Sequence, residues 1–233
     1  MHIRTTTTPT SEGKIPIDIP QANKPCFTWY KIVGDLAKSN KTPLILLHGG
    51  PGCGHNYLLP FKDLWEKEQI PCIFYDQVGC GQSTRLREKR GDESFWTIEL
   101  FIKELNNVID HFDLRSRGFD ILGQSWGGML LAEYAILQPK GLRRCVIANS
   151  PASMPLWVEA AQTLLKGMPK DIQKVIAEAD KERKYDTPEF KEANELFDRK
   201  HTYRVGVGEP WPGKYAGPSL NNLAEDDTVY WTM

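Results

Sequence analysis

The chain has 233 residues, with hydrophobic residues at 40%, charged residues at 25% and a formal net charge of -1 at pH 7. That length supports one main domain with a full core, or a core plus a small appended subdomain. The near-balanced charge excludes the strongly basic footprint of a nucleic-acid or anionic-membrane binder, so neither partner is expected.

Residues 1–24, rich in Thr, Pro and Lys, read as a loose N-terminal arm. The polar opening Met1 to Lys14 lacks the apolar centre of a signal peptide, and the longest apolar runs are too short to cross a bilayer, so a cytoplasmic location is expected. Phe27 to Val33 has the aromatic and β-branched content of a strand, and four short apolar runs follow: Leu44 to Leu47, Cys72 to Tyr75, Phe119 to Leu122 and Cys145 to Ala148. Between them, Ile98, Phe101, Ile102, Leu105, Val108, Ile109 and Phe112 form one apolar stripe at helical spacing, with Thr97 placed to cap its start. Strands alternating with helices predict a mostly parallel sheet covered on both faces, over residues 25–151. After Pro151 the pattern changes to amphipathic helices without a buried strand. Leu156 to Leu165, Ile172 to Ala179 and a helix begun by Thr187-Pro188 and ending near His201 are followed by a Gly/Pro-rich loop over 206–218. Residues 152–233 therefore read as a helical cap, or as the ordinary helical tail of the domain.

Five cysteines, Cys26, Cys53, Cys72, Cys80 and Cys145, are odd in number and contain no C-x-x-C spacing. Reduced thiols are expected, with no metal and no organic cofactor.

The chemistry concentrates at Gly123-Gln124-Ser125-Trp126-Gly127, which joins the run ending at Leu122 to a helical pattern. A serine on so sharp a strand-to-helix turn stands clear of the sheet, and glycine two residues before and two after it prevents collisions. Ser125 is thus the candidate nucleophile. Attack on a carbonyl makes an oxyanion that needs preorganised donors. His48-Gly49-Gly50-Pro51-Gly52 follows another strand and supplies such a turn, so the N–H groups of Gly50 and Trp126 are the expected pair. His48 is read as orienting that loop, and His55 as lining a pocket entrance. Asp76-Gln77-Val78-Gly79-Cys80-Gly81-Gln82-Ser83 ends a third strand at the same sheet edge. Asp76 is read as scaffolding for the oxyanion loop rather than as a catalytic group, and the glycine spacing fits neither a phosphate loop nor a dinucleotide fingerprint.

In that order and at those distances, HGGPG at 48–52, DQVGCGQS at 76–83 and GQSWGG at 123–128 closely resemble the proline iminopeptidases and related amino-acid amidases of the α/β-hydrolase fold. The resemblance extends into the helical region, through Phe197 to Arg204 and Trp211-Pro212, and so covers roughly residue 25 onward. It implies an α/β-hydrolase with a helical cap, in which Ser125 attacks the carbonyl after a substrate's N-terminal residue, typically proline. Gly50 and Trp126 would bind the oxyanion. His48, Gly49, Pro51, Gly52, Asp76, Gln77, Gly123, Gln124, Gly127 and Gly128 would support the two loops. A small peptide or amino-acid amide is the implied partner.

A serine needs a histidine base held by a carboxylate, and in this fold both follow the serine. His201 is the one histidine after Ser125, and its helical setting among charged residues does not suit the base. The carboxylates after Ser125 fall on polar helices or the terminal loop. The acid and histidine implied by the resemblance belong to two further strand-helix units, about 60 residues more. The expectation is therefore a C-terminally truncated chain, lacking the last strands and near background in turnover. An esterase or lactonase of the same fold, or a degenerate hydrolase that only binds, remain as alternatives.

Overall fold

The computed structural model describes residues 8–206 and 208–233. The chain forms two compact units, one of residues 1–150 with Pro218–Met233 and one of Pro151–Gly217.

In the first unit the strands are β1 (Thr10–Ile17), β2 (Cys26–Val33), β3 (Leu44–Leu47), β4 (Cys72–Asp76), β5 (Phe119–Gln124) and β6 (Leu142–Ala148). The helices among them are α1 (Asp63–Glu68), α2 (Ile98–His111), α3 (Leu114–Arg117) and α4 (Trp126–Ile136). The strands make one six-stranded sheet in the order β1-β2-β4-β3-β5-β6. Its β4-β3-β5-β6 part is parallel, while β1 and β2 add an antiparallel edge. This is the mostly parallel α/β sheet expected from the alternating runs, and all five anticipated strands form.

The reading of residues 1–24 as a loose arm is corrected over Thr10–Ile17, which pairs with β2 along its whole length. Ser11, Glu12 and Lys14 gave the segment a polar appearance, as suits an edge strand, while Ile15 and Ile17 turn inward and are buried. Central strands read as continuous apolar runs because both faces are covered: all residues of β3 and β4 are buried. The anticipated stripe of α2 packs there, with Phe101, Leu105, Val108 and Ile109 fully buried against Tyr75, Ile121 and Leu131 in one cluster. Thr97 caps α2 by accepting from the Leu100 N–H. At the other edge, among the described residues, β6 pairs with a strand on one side only, and Val146 and Ile147 are exposed.

The second unit contains α5 (Met154–Lys166), α6 (Lys170–Glu182) and α7 (Pro188–His201). Thr187 caps α7 through the Phe190 N–H, as its Thr-Pro start predicts. Met168, Ile172 and Ala193 form its small core, with Val175, Ile176 and Phe197 packed on it.

The single helical region read over 152–233 is also corrected. After α8 (Ala216–Glu225) begins, residues 218–233, including α9 (Thr228–Thr232), cluster with the sheet unit. Val229 is buried in the main core, and Arg87 and Arg90 bind Asp226 and Asp227. Helical periodicity alone carries no information about which core a helix joins.

Among the described residues, no helix is long and apolar enough to cross a membrane, and no cluster of three metal-ligating side chains occurs.

Candidate active site

The three candidate loops leave the carboxyl ends of β4, β3 and β5, which are adjacent strands, so the fold delivers them to one sheet edge. That edge is where open parallel sheets place ligands. Register carries Leu47 beside Gly123, so the turn at 48–52 leaves the sheet next to the serine turn.

Ser125 has φ 52° and ψ -122°, a conformation rare for a residue with a side chain, and it immediately precedes α4. The flanking glycines are required by close approach. A Cβ on Gly123 would lie 2.1 Å from the Gly127 carbonyl oxygen, and one on Gly127 would lie 2.3 Å from that of Leu47. Gly128 is packed against Ser150, whose Oγ donates to the Ser125 carbonyl at 2.8 Å. The Ser125 N–H donates to the Ala148 carbonyl at 3.0 Å, which secures the turn to β6.

The turn at 48–52 lies against this serine, since a Cβ on Gly49 would come within 3.0 Å of the Ser125 Cβ. Gly50 has φ +113°, open to glycine but strained for other residues, and Pro51 and Gly52 complete the turn. The Gly49 N–H is already used, donating to the Tyr57 hydroxyl at 2.6 Å, and that hydroxyl donates to Gln124 Oε1 at 2.5 Å. The backbone N–H groups of Gly50 and Trp126 have no acceptor among the described residues.

Beneath the two turns lies a buried polar network. Gln77 is its hub: its N–H donates to His48 Nε2 at 3.0 Å, its Nε2 to the His48 carbonyl at 3.3 Å, and its Oε1 accepts from the Trp126 indole at 2.9 Å. Because Nε2 of His48 accepts, its Nδ1 carries the proton and donates to the Gly49 carbonyl at 2.9 Å. Burial holds the His48 pKa below the ordinary histidine value, although Asp76 and the Gly49 carbonyl act against it. The imidazole thus bridges the Gly49 carbonyl and the Gln77 N–H.

Asp76 is fully engaged in structure. Its Oδ1 accepts from the His55 N–H and from His55 Nδ1, each at 2.8 Å, and its Oδ2 accepts from the Gln82 N–H at 2.9 Å. Burial raises its pKa, but the His55 hydrogen bond and the nearby imidazoles outweigh that, and the net shift is downward. His55 corrects one expectation. Rather than lining a pocket entrance, it is buried against Trp29, with ring centroids 4.5 Å apart, and paired with Asp76.

Among the described residues, no histidine is hydrogen-bonded to the Ser125 hydroxyl. His48 and His55 are committed as above, His111 ends α2 against Tyr30 and Phe112, and His201 packs on Phe197 in the second unit. Sequence reasoning missed Tyr57, Ser150 and Glu104, which join this network from positions outside any motif. A fully buried glutamate on the apolar face of α2, four residues before Val108, was the one available signal for Glu104.

Residues 42–231 match the family model described as the alpha/beta hydrolase fold. The chain belongs to that family. Within the alpha/beta hydrolases it is similar to the proline iminopeptidase of Lactobacillus delbrueckii subsp. lactis, at 38% identity over 186 residues, which are 79% of this chain and 61% of that protein. It is 37% identical to the proline iminopeptidase of Lactiplantibacillus plantarum over 75% of this chain and 58% of that protein. The crystal structure of VinJ superposes with a TM-score of 0.86 at 39% identity, covering 97% of this chain and 71% of VinJ. That of the Mycobacterium smegmatis proline iminopeptidase gives 0.77 at 35% identity, covering 94% and 69%. The chain therefore spans about three fifths of the length of these curated relatives.

Proposed function

We propose that this chain carries the nucleophile and oxyanion donors of a cytoplasmic serine hydrolase that releases an N-terminal residue, typically proline, from peptides or amino-acid amides. The observation that carries the reading is the positive φ of Ser125 beside the Gly49-Gly50 turn. It sets Ser125 on a strained turn against that loop, and among the described residues the N–H groups of Gly50 and Trp126 have no acceptor. The similarity to proline iminopeptidases supports the substrate class.

In the proposed reaction the Ser125 hydroxyl attacks the carbonyl carbon of the first residue. The oxyanion so formed accepts from the N–H groups of Gly50 and Trp126, the amine leaves, and water hydrolyses the acyl-enzyme. The hydroxyl proton must pass to a base before it reaches the leaving amine. With no described histidine on Ser125, release of p-nitroaniline from prolyl-p-nitroanilide by the 233-residue chain is expected to reach at most the roughly 10³–10⁴-fold over water that oxyanion donors and binding supply without a base.

Substrate class is tested by binding, with boronic acids that mimic the tetrahedral intermediate. Titration of the purified protein with pyrrolidine-2-boronic acid, which carries the proline amine, is expected to give at least about tenfold tighter binding than cyclopentylboronic acid, roughly 1.4 kcal/mol. Equal affinities would favour the esterase or lactonase reading, and no binding of either would favour a degenerate fold.

A further inference from the structure

Glu104 is fully buried on the sheet-facing side of α2. Its Oε1 accepts twice, from the Thr28 hydroxyl of β2 at 2.5 Å and from the Val78 N–H at 2.8 Å. Its Oε2 has no hydrogen-bond partner among the described residues, nor does the buried hydroxyl of Tyr75. Val78 follows Gln77, whose N–H holds His48 and whose side chain holds the Trp126 indole. One carboxyl oxygen therefore pins the loop that sets both halves of the candidate site.

We propose that Glu104 is a positioning residue for this site: through Val78 it fixes Gln77, and through Gln77 it couples the 48–52 turn to the serine turn. The proposal rests on the reading of those turns as a site, but its geometry and its test need no substrate.

The coupling depends on the charge of Glu104. Burial pushes its carboxyl up to about 8, against the hydrogen bonds from Thr28 and Val78, with the Asp76 charge adding to the rise. Below that pH the neutral acid keeps its proton on the unpartnered oxygen. Above it, the carboxylate charge is shared between Oε1, which has two donors, and Oε2, which has none in a closed core, and the loop shifts to supply one. The titratable groups facing Glu104 are Tyr75 and Asp76 from β4 and Cys80 from the loop, with Tyr134 of α4 beyond Tyr75. Burial first, then neighbouring acids, holds the Tyr75 hydroxyl and the Cys80 thiol well above their ordinary values. Asp76 lies below its ordinary value. Glu104 is the member of this group that changes charge near pH 8.

The Trp126 indole N–H is a direct reporter, because it donates to Gln77. In uniformly 15N-labelled protein its resonance, assigned by its absence from Trp126→Phe, is expected to titrate between pH 6 and 10 with a midpoint of about 8. Glu104→Gln keeps an acceptor for Thr28 and Val78 and gains a donor for the second position, so it should fold. Its indole resonance should stay near the wild-type low-pH position across the range. Glu104→Ala should displace the resonance at every pH, and if that variant does not fold, the Gln variant decides alone. A flat wild-type titration, or an unchanged titration in Glu104→Gln, would overturn the proposal. Failure of boronate binding would leave it standing.

Discussion

The Trp126 indole nitrogen lies 2.9 Å from Gln77 Oε1, and this one bond ties the serine turn to the loop after β4. Trp126 and Gln77 are both buried, so neither group can exchange its partner for bulk water. Replacing Gln77 by Ala leaves the indole N–H and the His48 carbonyl without their partner. We expect a loss of about 1–3 kcal/mol, read from urea midpoints. A change below about 0.3 kcal/mol would mean that the network carries little of the stability assigned to it.

The glycines separate into two physical classes. Gly127→Ala must push a methyl group into the Leu47 carbonyl, with 2.3 Å available, and should destabilise by about 3 kcal/mol or more, or prevent folding. Gly217→Ala, within α8, meets nothing closer than a Pro212 ring carbon at 3.8 Å and should stabilise by up to about 1 kcal/mol. Thermal melts of both proteins check the contrast, and equal effects would contradict it.

Residues 218–233 are held to the sheet unit by arginines of unequal importance. Arg90 makes two hydrogen bonds to Asp227, at 3.0 and 2.7 Å, but both side chains are close to half exposed, so Arg90→Ala should cost about 0.5 kcal/mol. Arg87 binds Asp226, whose side chain is only 2% exposed, and its loss leaves a buried carboxylate without its cation and, among the described residues, held only by the Thr228 N–H at 3.2 Å. Arg87→Ala should cost more, about 1–2 kcal/mol after allowing for the exposure of the arginine itself. Limited proteolysis should release the terminal segment sooner in Arg87→Ala, and the reverse ranking would count against this account.

Stability should depend on pH through groups of opposite sign. The folded protein holds the Glu104 proton up to about 8, whereas the ordinary value is 4.5. Its contribution is therefore complete below pH 4.5 and is lost as pH rises through about 8. His48 lies below its ordinary 6.5, so its contribution is complete above that value and is lost as pH falls through the lowered one. Asp76 likewise loses its contribution as pH falls below 3.8. Glu104→Gln should flatten the decline approaching pH 8 and leave the acid limb in place. Urea midpoints from pH 5 to 9 measure this, and a decline of unchanged slope in the variant would contradict it.

The sequence made the parallel strands and the serine turn legible because both depend on local rules: continuous apolar runs, and glycines where a side chain would collide. It concealed β1, whose alternation is visible only at Ile15 and Ile17, and it concealed the return of 218–233 to the sheet unit. Those features depend on pairing across long sequence distances, such as Arg87 with Asp226. The buried network shows the same division. His48 and Asp76 sit in recognisable motifs, while Glu104 and Tyr57 acquire their roles only when α2 and the segment after β3 are brought to the loops.

The most direct measurement follows the backbone amides of Gly50 and Trp126 by 15N NMR while pyrrolidine-2-boronic acid is added. If Ser125 is the nucleophile and these are the oxyanion donors, both amide resonances should move downfield together and saturate, and Ser125→Ala should abolish the response. Binding that leaves both amides unmoved, or a response that survives in Ser125→Ala, would contradict the assignment.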